Sequence, residues 1–178
     1  ISKYFITMAM VAIGLNTNSK AFACRKVKRE NEMKILVING VNMNFLGIRN
    51  REVYGNKDYN YLIQMIEEKA RELKVDVECF QSNHEGAIVD KLQDAYFEKV
   101  EGIVINPAAF THTSVAIRDA LESLDCIKIE VHISNISERE EFRHRSLTQP
   151  VCSGQIAGLG LDGYTLAMEY IVKNACRQ

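Results

Sequence analysis

The run Ile103-Val104-Ile105, closed by Asn106-Pro107, constrains this chain more than any other stretch. Three successive β-branched residues with no polar residue among them suit a central parallel strand covered on both faces. Asn106-Pro107 stops the strand, and Thr111, Thr113 and Ser114 offer N-caps for a helix predicted over Thr113–Leu124. Asn106 and His112 then stand just past the carboxyl end of a strand, beside the partly positive start of a helix. In open α/β sheets that crevice is where ligands bind.

The same order recurs along the chain. Lys34–Ile38 reads as the first strand, and Asn39-Gly40-Val41-Asn42 turns it into a polar segment without periodicity that ends at Tyr54-Gly55. Because that segment follows a strand end and carries Asn42, Asn44, Arg49, Arg51 and Tyr54, it reads as a lid over a site. Asp58 or Asn60 can cap a helix reaching to about Lys74, with Leu62, Met65, Ile66, Ala70 and Leu73 on its inner face. Val75–Phe80 is a second strand, followed by the polar loop Gln81–Gly86 and a helix over about Glu85–Lys99. After the central strand come a strand Ile127–Ile133 with His132 near its end, and a short charged helix Glu138–Arg143. A glycine-weakened strand within Gly154–Gly160 precedes a last helix from Asp162 to about Asn174. Repeated β-then-α order predicts an α/β flavodoxin-like three-layer sandwich around a five-stranded parallel sheet.

A formal net charge of −1 gives no electrostatic case for nucleic acid or an anionic membrane. Two prolines and ten glycines in 178 residues argue for an ordered chain. The five cysteines are scattered and form no C-x-x-C, which reads as reduced thiols in a cytoplasmic protein. Tyr4–Leu15 near Lys3, with Ala21-Phe22-Ala23 after it, has the outline of a secretory signal, but the spacer is polar and a clean restart follows at Met33. Residues 1–32 are therefore read as an N-terminal extension, disordered or a leader, and residues 33–178 as the catalytic domain. The apolar run is too short to predict a membrane span.

The predicted strand ends and lid gather Asn42, Arg49, Tyr54, Asn106, His112, His132, Ser134 and Arg143 at one sheet edge. There is no G-x-x-x-x-G-K-[ST], and no G-x-G-x-x-G follows the first strand, so nucleotide binding has little support. No His-x-x-x-His or acidic cluster suits a metal. What remains, neutral hydrogen bonders, arginines, a tyrosine and two histidines, suits binding a polyhydroxylated carboxylate and moving protons. Taken singly, the residues have plainer readings: Arg139, Arg143 and Arg145 pair with Glu138, Glu140 and Glu141 on a solvated face, and Asp119 is a surface helix residue.

Long ordered blocks carry a more specific signal: Asn39–Gly47, Val53-Tyr54-Gly55, Gln81–Gly86, Ile105–Asp119, Ile129–Asn135 and Arg139–Arg143. From Met33 to about Val172 they resemble the type II 3-dehydroquinate dehydratases, the dehydroquinases of the shikimate pathway that form no Schiff base. The resemblance implies removal of a proton α to a ketone, then loss of a β-hydroxyl as water, without metal or cofactor. Tyr54 would be the base, and Arg49 the neighbouring cation that favours its phenolate. Asn42 would hold a water against the enolate oxygen. His132 would protonate the departing hydroxyl with support from Glu130.

By the same resemblance, Asn106, Ser134 and the backbone of Ile133 would hold the carboxylate and nearby hydroxyls of 3-dehydroquinate. His112 and Arg143 would hold the ring hydroxyls, and Arg139 would serve the lid. Asp119 would reach a neighbouring subunit's site in a homododecamer built from trimers. The family commonly has proline at Val41 and glycine at Ala108, and Asn50-Arg51-Glu52 departs from its lid pattern. Two other readings of the residues stay open: a flavodoxin-like electron carrier, and a relative that binds a shikimate-type acid without converting it.

Overall fold

Alternation along the strands sets the architecture. The structure, a computed structural model, describes residues 33–48 and 57–175. Strand β1 (Lys34–Asn39) sends Ile35 and Val37 to one face and Leu36 and Ile38 to the other, and all four are fully buried. A strand covered on both faces needs apolar residues at consecutive positions, which is why KILVI carries no polar alternation. Strand β2 (Asp76–Gln81) and the five-residue β3 (Gly102–Asn106) follow the same rule less and more strictly: β2 is half-buried throughout, β3 wholly buried.

With β4 (Ile127–His132) and β5 (Gly154–Ala157), these form a parallel five-stranded sheet in the order β2-β1-β3-β4-β5. Helix α1 (Tyr59–Leu73) and helix α4 (Asp162–Ala175) pack on the face of Ile35, Val37 and Val104. Helix α2 (Glu85–Phe97) and helix α3 (Val115–Glu122) pack on the face of Leu36, Ile38, Ile103 and Ile105. The expected flavodoxin-like three-layer α/β sandwich is the observed fold. All described residues belong to one compact unit, Glu32–Gln178. No helix among them is long and apolar enough to cross a membrane.

Local chemistry places the elements. The Asp58 side chain caps α1 by accepting from Tyr61 N at 2.8 Å, and Lys74 ends the helix in a left-handed conformation. Of the cap candidates near α3, Ser114 serves, accepting from Ile117 N at 2.9 Å. The helix starts at Val115 rather than Thr113 because a 3₁₀ turn, Ala108–His112, occupies the approach. The charged helix expected over Glu138–Arg143 is instead two 3₁₀ turns, Ile136–Glu138 and Glu141–Arg143, parted by extended Glu140. Six residues cannot offset helix nucleation, and burial of Ile136 anchors the first turn instead.

Strand β4 departs from its neighbours. Ile127, Ile129 and Val131 join the core on the α1/α4 face, while alternate residues Lys128, Glu130 and His132 are charged or titratable and still buried. A continuous apolar run would serve packing alone. Buried charge on one face of a strand requires partners, and those partners build the site.

Candidate active site

A cleft opens at the carboxyl ends of β1, β3 and β4. Its floor rests on a close backbone approach. Gly40 N donates to Asn106 O at 2.7 Å, and a Cβ on Gly40 would lie 2.2 Å from the Pro107 carbonyl oxygen. Only glycine lets the ends of β1 and β3 meet this way.

Beyond Gly40, Asn42 sits in the left-handed region at φ 64° and begins the 3₁₀ turn Met43–Phe45, a structured start to the segment read as unpatterned. Asparagine tolerates that conformation better than most residues. Its backbone N donates to Asn83 Oδ1 at 2.7 Å, an oxygen that also accepts from Gln81 Nε2 at 3.1 Å. The polar loop after β2 thus fixes the residue that lines the cleft after β1.

Asn106, the last residue of β3, is 3% exposed. Its amide donates to Tyr164 Oη at 2.9 Å, and its Oδ1 accepts from Ala108 N at 3.1 Å. The Tyr164 hydroxyl in turn donates to Asn39 Oδ1 at 2.6 Å. Burial pushes the Tyr164 phenol up, against an opposing pull from Asn106, so it is a neutral donor. Ala108 takes φ 54°, a left-handed conformation at a residue with a side chain.

His132 and Glu130, two apart on β4, share one face of the strand. His132 Nε2 lies 2.7 Å from Glu130 Oε1, and the residues are 5% and 0% exposed. Burial alone pushes the Glu130 carboxyl up, but His132, Thr148 and Gln155 outweigh it and hold the group below its ordinary range. A carboxylate only accepts, so Nε2 carries the shared proton and Nδ1 is the ring nitrogen turned away from Glu130.

The remaining candidates line the same cleft. His112 Nδ1 meets the Arg145 carbonyl at 2.8 Å, so Nδ1 donates there and Nε2 is the other ring nitrogen. Ile133 and Ser134 follow β4 directly, and Arg139 Nη1 approaches Ser134 Oγ at 3.4 Å. Arg143 Nε donates to Glu140 at 2.8 Å while its guanidinium stacks on Phe142. Arg139 and Arg143 both pair with Glu140, which is part of their plainer reading, and both also line the cleft.

Asp119 lies apart, paired with Arg118 at 2.9 Å beside an apolar groove between α2 and α3. Arg49 and Tyr54 lie outside the described residues. Sequence reasoning missed Asn39, Asn83, Tyr164, Ser146, Thr148 and Gln155 as site supports, and took Thr111 for a cap when its hydroxyl faces Glu130 at 3.1 Å. Only Asn39, a polar residue ending an apolar strand, and Asn83, in the polar loop after the second strand, carried a local signal. Among the described residues no cluster of His, Cys, Asp or Glu could hold a metal ion.

The sequence profile of the family described as Dehydroquinase class II matches residues 33–172. A 3-dehydroquinate dehydratase of Lachnospira eligens is 63% identical over 147 residues, covering 82% of this chain and all of the relative. Two crystal structures are similar throughout the domain. The type II dehydroquinase of Butyrivibrio crossotus has a TM-score of 0.78 at 62% identity, covering 79% of this chain and 97% of that one. That of Propionibacterium acnes has a TM-score of 0.77 at 43% identity, covering 80% and 99%. On profile, identity and fold together, the chain belongs to the class II dehydroquinase family.

Proposed function

We propose that the protein is a 3-dehydroquinate dehydratase of the shikimate pathway, converting 3-dehydroquinate to 3-dehydroshikimate through an enolate without metal, cofactor or Schiff base. The observation that carries this reading is the buried Glu130–His132 pair at the edge of a cleft that also holds Asn42, His112, Ser134 and Arg143. An imidazolium held by a buried carboxylate is a competent acid toward a departing hydroxyl. No lysine is among the described residues that line the cleft, which supports a route without an imine.

Tyr54, its phenolate favoured by the charge of Arg49, removes the proton α to the ketone. The electron pair becomes an enolate, whose oxygen is met by a water held at Asn42. Collapse of the enolate breaks the β C–O bond, and the hydroxyl leaves as water with a proton from His132. Ser134, the Ile133 backbone, Asn106, His112 and Arg143 hold the carboxylate and hydroxyls, and Arg139 serves the lid.

The assembly in this reading is a homododecamer of trimers in the cytoplasm, with Asp119 completing a neighbour's site. Supporting it, Asp119 faces an apolar groove flanked by Tyr96 and Phe97, 57% and 79% exposed. His132→Ala tests the chemistry. It is expected to bind 3-dehydroquinate and to convert it at least a hundredfold more slowly, in the range of about 10²–10⁴ for a general acid. Unchanged conversion by His132→Ala, or loss of wild-type activity on borohydride treatment with substrate, contradicts the mechanism.

A further inference from the structure

Glu130 has more donors than an ion pair needs. Its Oε1 meets His132 Nε2 at 2.7 Å, Gln155 Nε2 at 2.8 Å, Ser146 Oγ at 2.9 Å and Thr111 Oγ1 at 3.1 Å. Its Oε2 accepts from Thr148 Oγ1 and Ser146 Oγ. The hydroxyls also touch one another, Thr111 to Thr148 at 2.7 Å and Thr111 to Ser146 at 2.8 Å, and since each carries a single proton they share their donation between Glu130 and one another. They come from the turn after β3 and from the segment before β5, while Gln155 reaches across from β5 itself. Thr111 and Thr148 are both wholly buried. Packing alone would fill this space with methyl groups.

A buried carboxylate and imidazole sharing one proton have two arrangements, carboxylate with imidazolium or carboxylic acid with neutral imidazole. Burial favours the neutral pair, and donors aimed at the carboxylate favour the charged one. We propose that Thr111, Ser146, Thr148 and Gln155 are positioning residues that keep the shared proton on His132 rather than on Glu130. This rests on the dehydratase reading above. In the elimination the Nδ1–H bond of His132 breaks as the new O–H bond forms and the C–O bond cleaves. The neutral ring then keeps its Nε2–H on Glu130.

Other titratable groups face this pair. Lys128 shares the β4 face and donates to Leu124 O at the end of α3. Cys152, ahead of β5, senses Glu130, and burial holds its thiol neutral, pushed up to about 12. His112, Arg139 and Arg143 share the cleft with His132. Removing a neutral donor changes the charge of none of these.

Thr148→Val keeps the side-chain shape and removes one donor. The expected result is a fall in kcat of about tenfold, the size of a hydrogen bond to a charged group, with KM little changed. The acid limb of the kcat profile moves to higher pH, because Glu130 now takes up its proton more readily. Thr148→Ser restores both. Deuterium exchange at the His132 C2 position, followed by peptide mass spectrometry, reads the same change without turnover, its midpoint moving to lower pH in Thr148→Val. Should Thr148→Val fail to fold, Gln155→Leu at the exposed sheet edge carries the same comparisons. An acid limb and an exchange midpoint that both stay at wild-type values overturn the proposal. If wild-type protein does not convert 3-dehydroquinate, the dehydratase reading fails, and the exchange midpoints still decide the role of the cage.

Discussion

The Tyr164 hydroxyl donates to Asn39 Oδ1 at 2.6 Å, joining the last helix to the end of the first strand across 125 residues of sequence. The same hydroxyl accepts from Asn106 Nδ2 at 2.9 Å, so one buried phenol holds the ends of β1 and β3 together beneath the cleft. Tyr164→Phe keeps the ring packing and removes the hydroxyl that accepts from Asn106 Nδ2 and donates to Asn39 Oδ1. It is expected to cost about 1–3 kcal/mol, the penalty for leaving buried polar groups unpaired, and urea denaturation at neutral pH measures it.

Two neighbouring backbone positions predict opposite substitution effects. Gly40→Ala would drive a methyl to 2.2 Å from the Pro107 carbonyl and is expected to destabilise by at least about 3 kcal/mol or prevent folding. Ala108 already occupies φ 54°. Left-handed backbone costs a residue with a Cβ roughly 1–2 kcal/mol, and glycine's extra freedom in the unfolded chain costs about 0.4–1 kcal/mol. Ala108→Gly is therefore expected to gain about 0.5 kcal/mol, read as a higher urea midpoint; a clear loss contradicts the strain at Ala108.

Glu130 links stability to pH. Burial raises its carboxyl, but the pull of His132, Thr148 and Gln155 wins and leaves it below the ordinary 4.5. A group with a depressed folded value contributes stability above its unfolded value, and that contribution is lost as pH falls through the folded one. Glu130→Gln is expected to be less stable at neutral pH by about 1–3 kcal/mol. It is also expected to decline less steeply below pH 4.5. Urea midpoints across the acid range check both.

Asn83 never reaches the cleft's lining, yet its side chain accepts from the backbone of Asn42, held at φ 64°. Asn83→Ala frees that turn. Turnover of 3-dehydroquinate is expected to fall about tenfold with stability nearly unchanged, since misplacing a catalytic group by even 1 Å can cost about a hundredfold. Steady-state kinetics beside a melting curve separate the two effects.

The layered fold was legible because its strands are written in β-branched runs and its helices begin at residues such as Asp58 and Ser114. Cleft residues at strand ends, Asn106, His112 and His132, were legible for the same reason, since topology alone carries them to one edge. The supports were not. Thr111, Ser146, Thr148 and Gln155 meet Glu130 from segments far apart in sequence, and a hydroxyl in a loop looks the same whether it caps a helix or faces a buried carboxylate. The break at Glu140 was not legible because short charged stretches carry no signal separating one helix from two turns.

On the proposed mechanism, this cleft dehydrates 3-dehydroquinate. Elimination creates a conjugated enone that the substrate lacks, so the most direct measurement is the ultraviolet absorbance of the purified protein mixed with 3-dehydroquinate. A steady rise that persists with chelator present and is abolished in Tyr54→Phe is the predicted result. No rise from folded wild-type protein that nevertheless binds the substrate would contradict it, and would leave a binding protein in place of an enzyme.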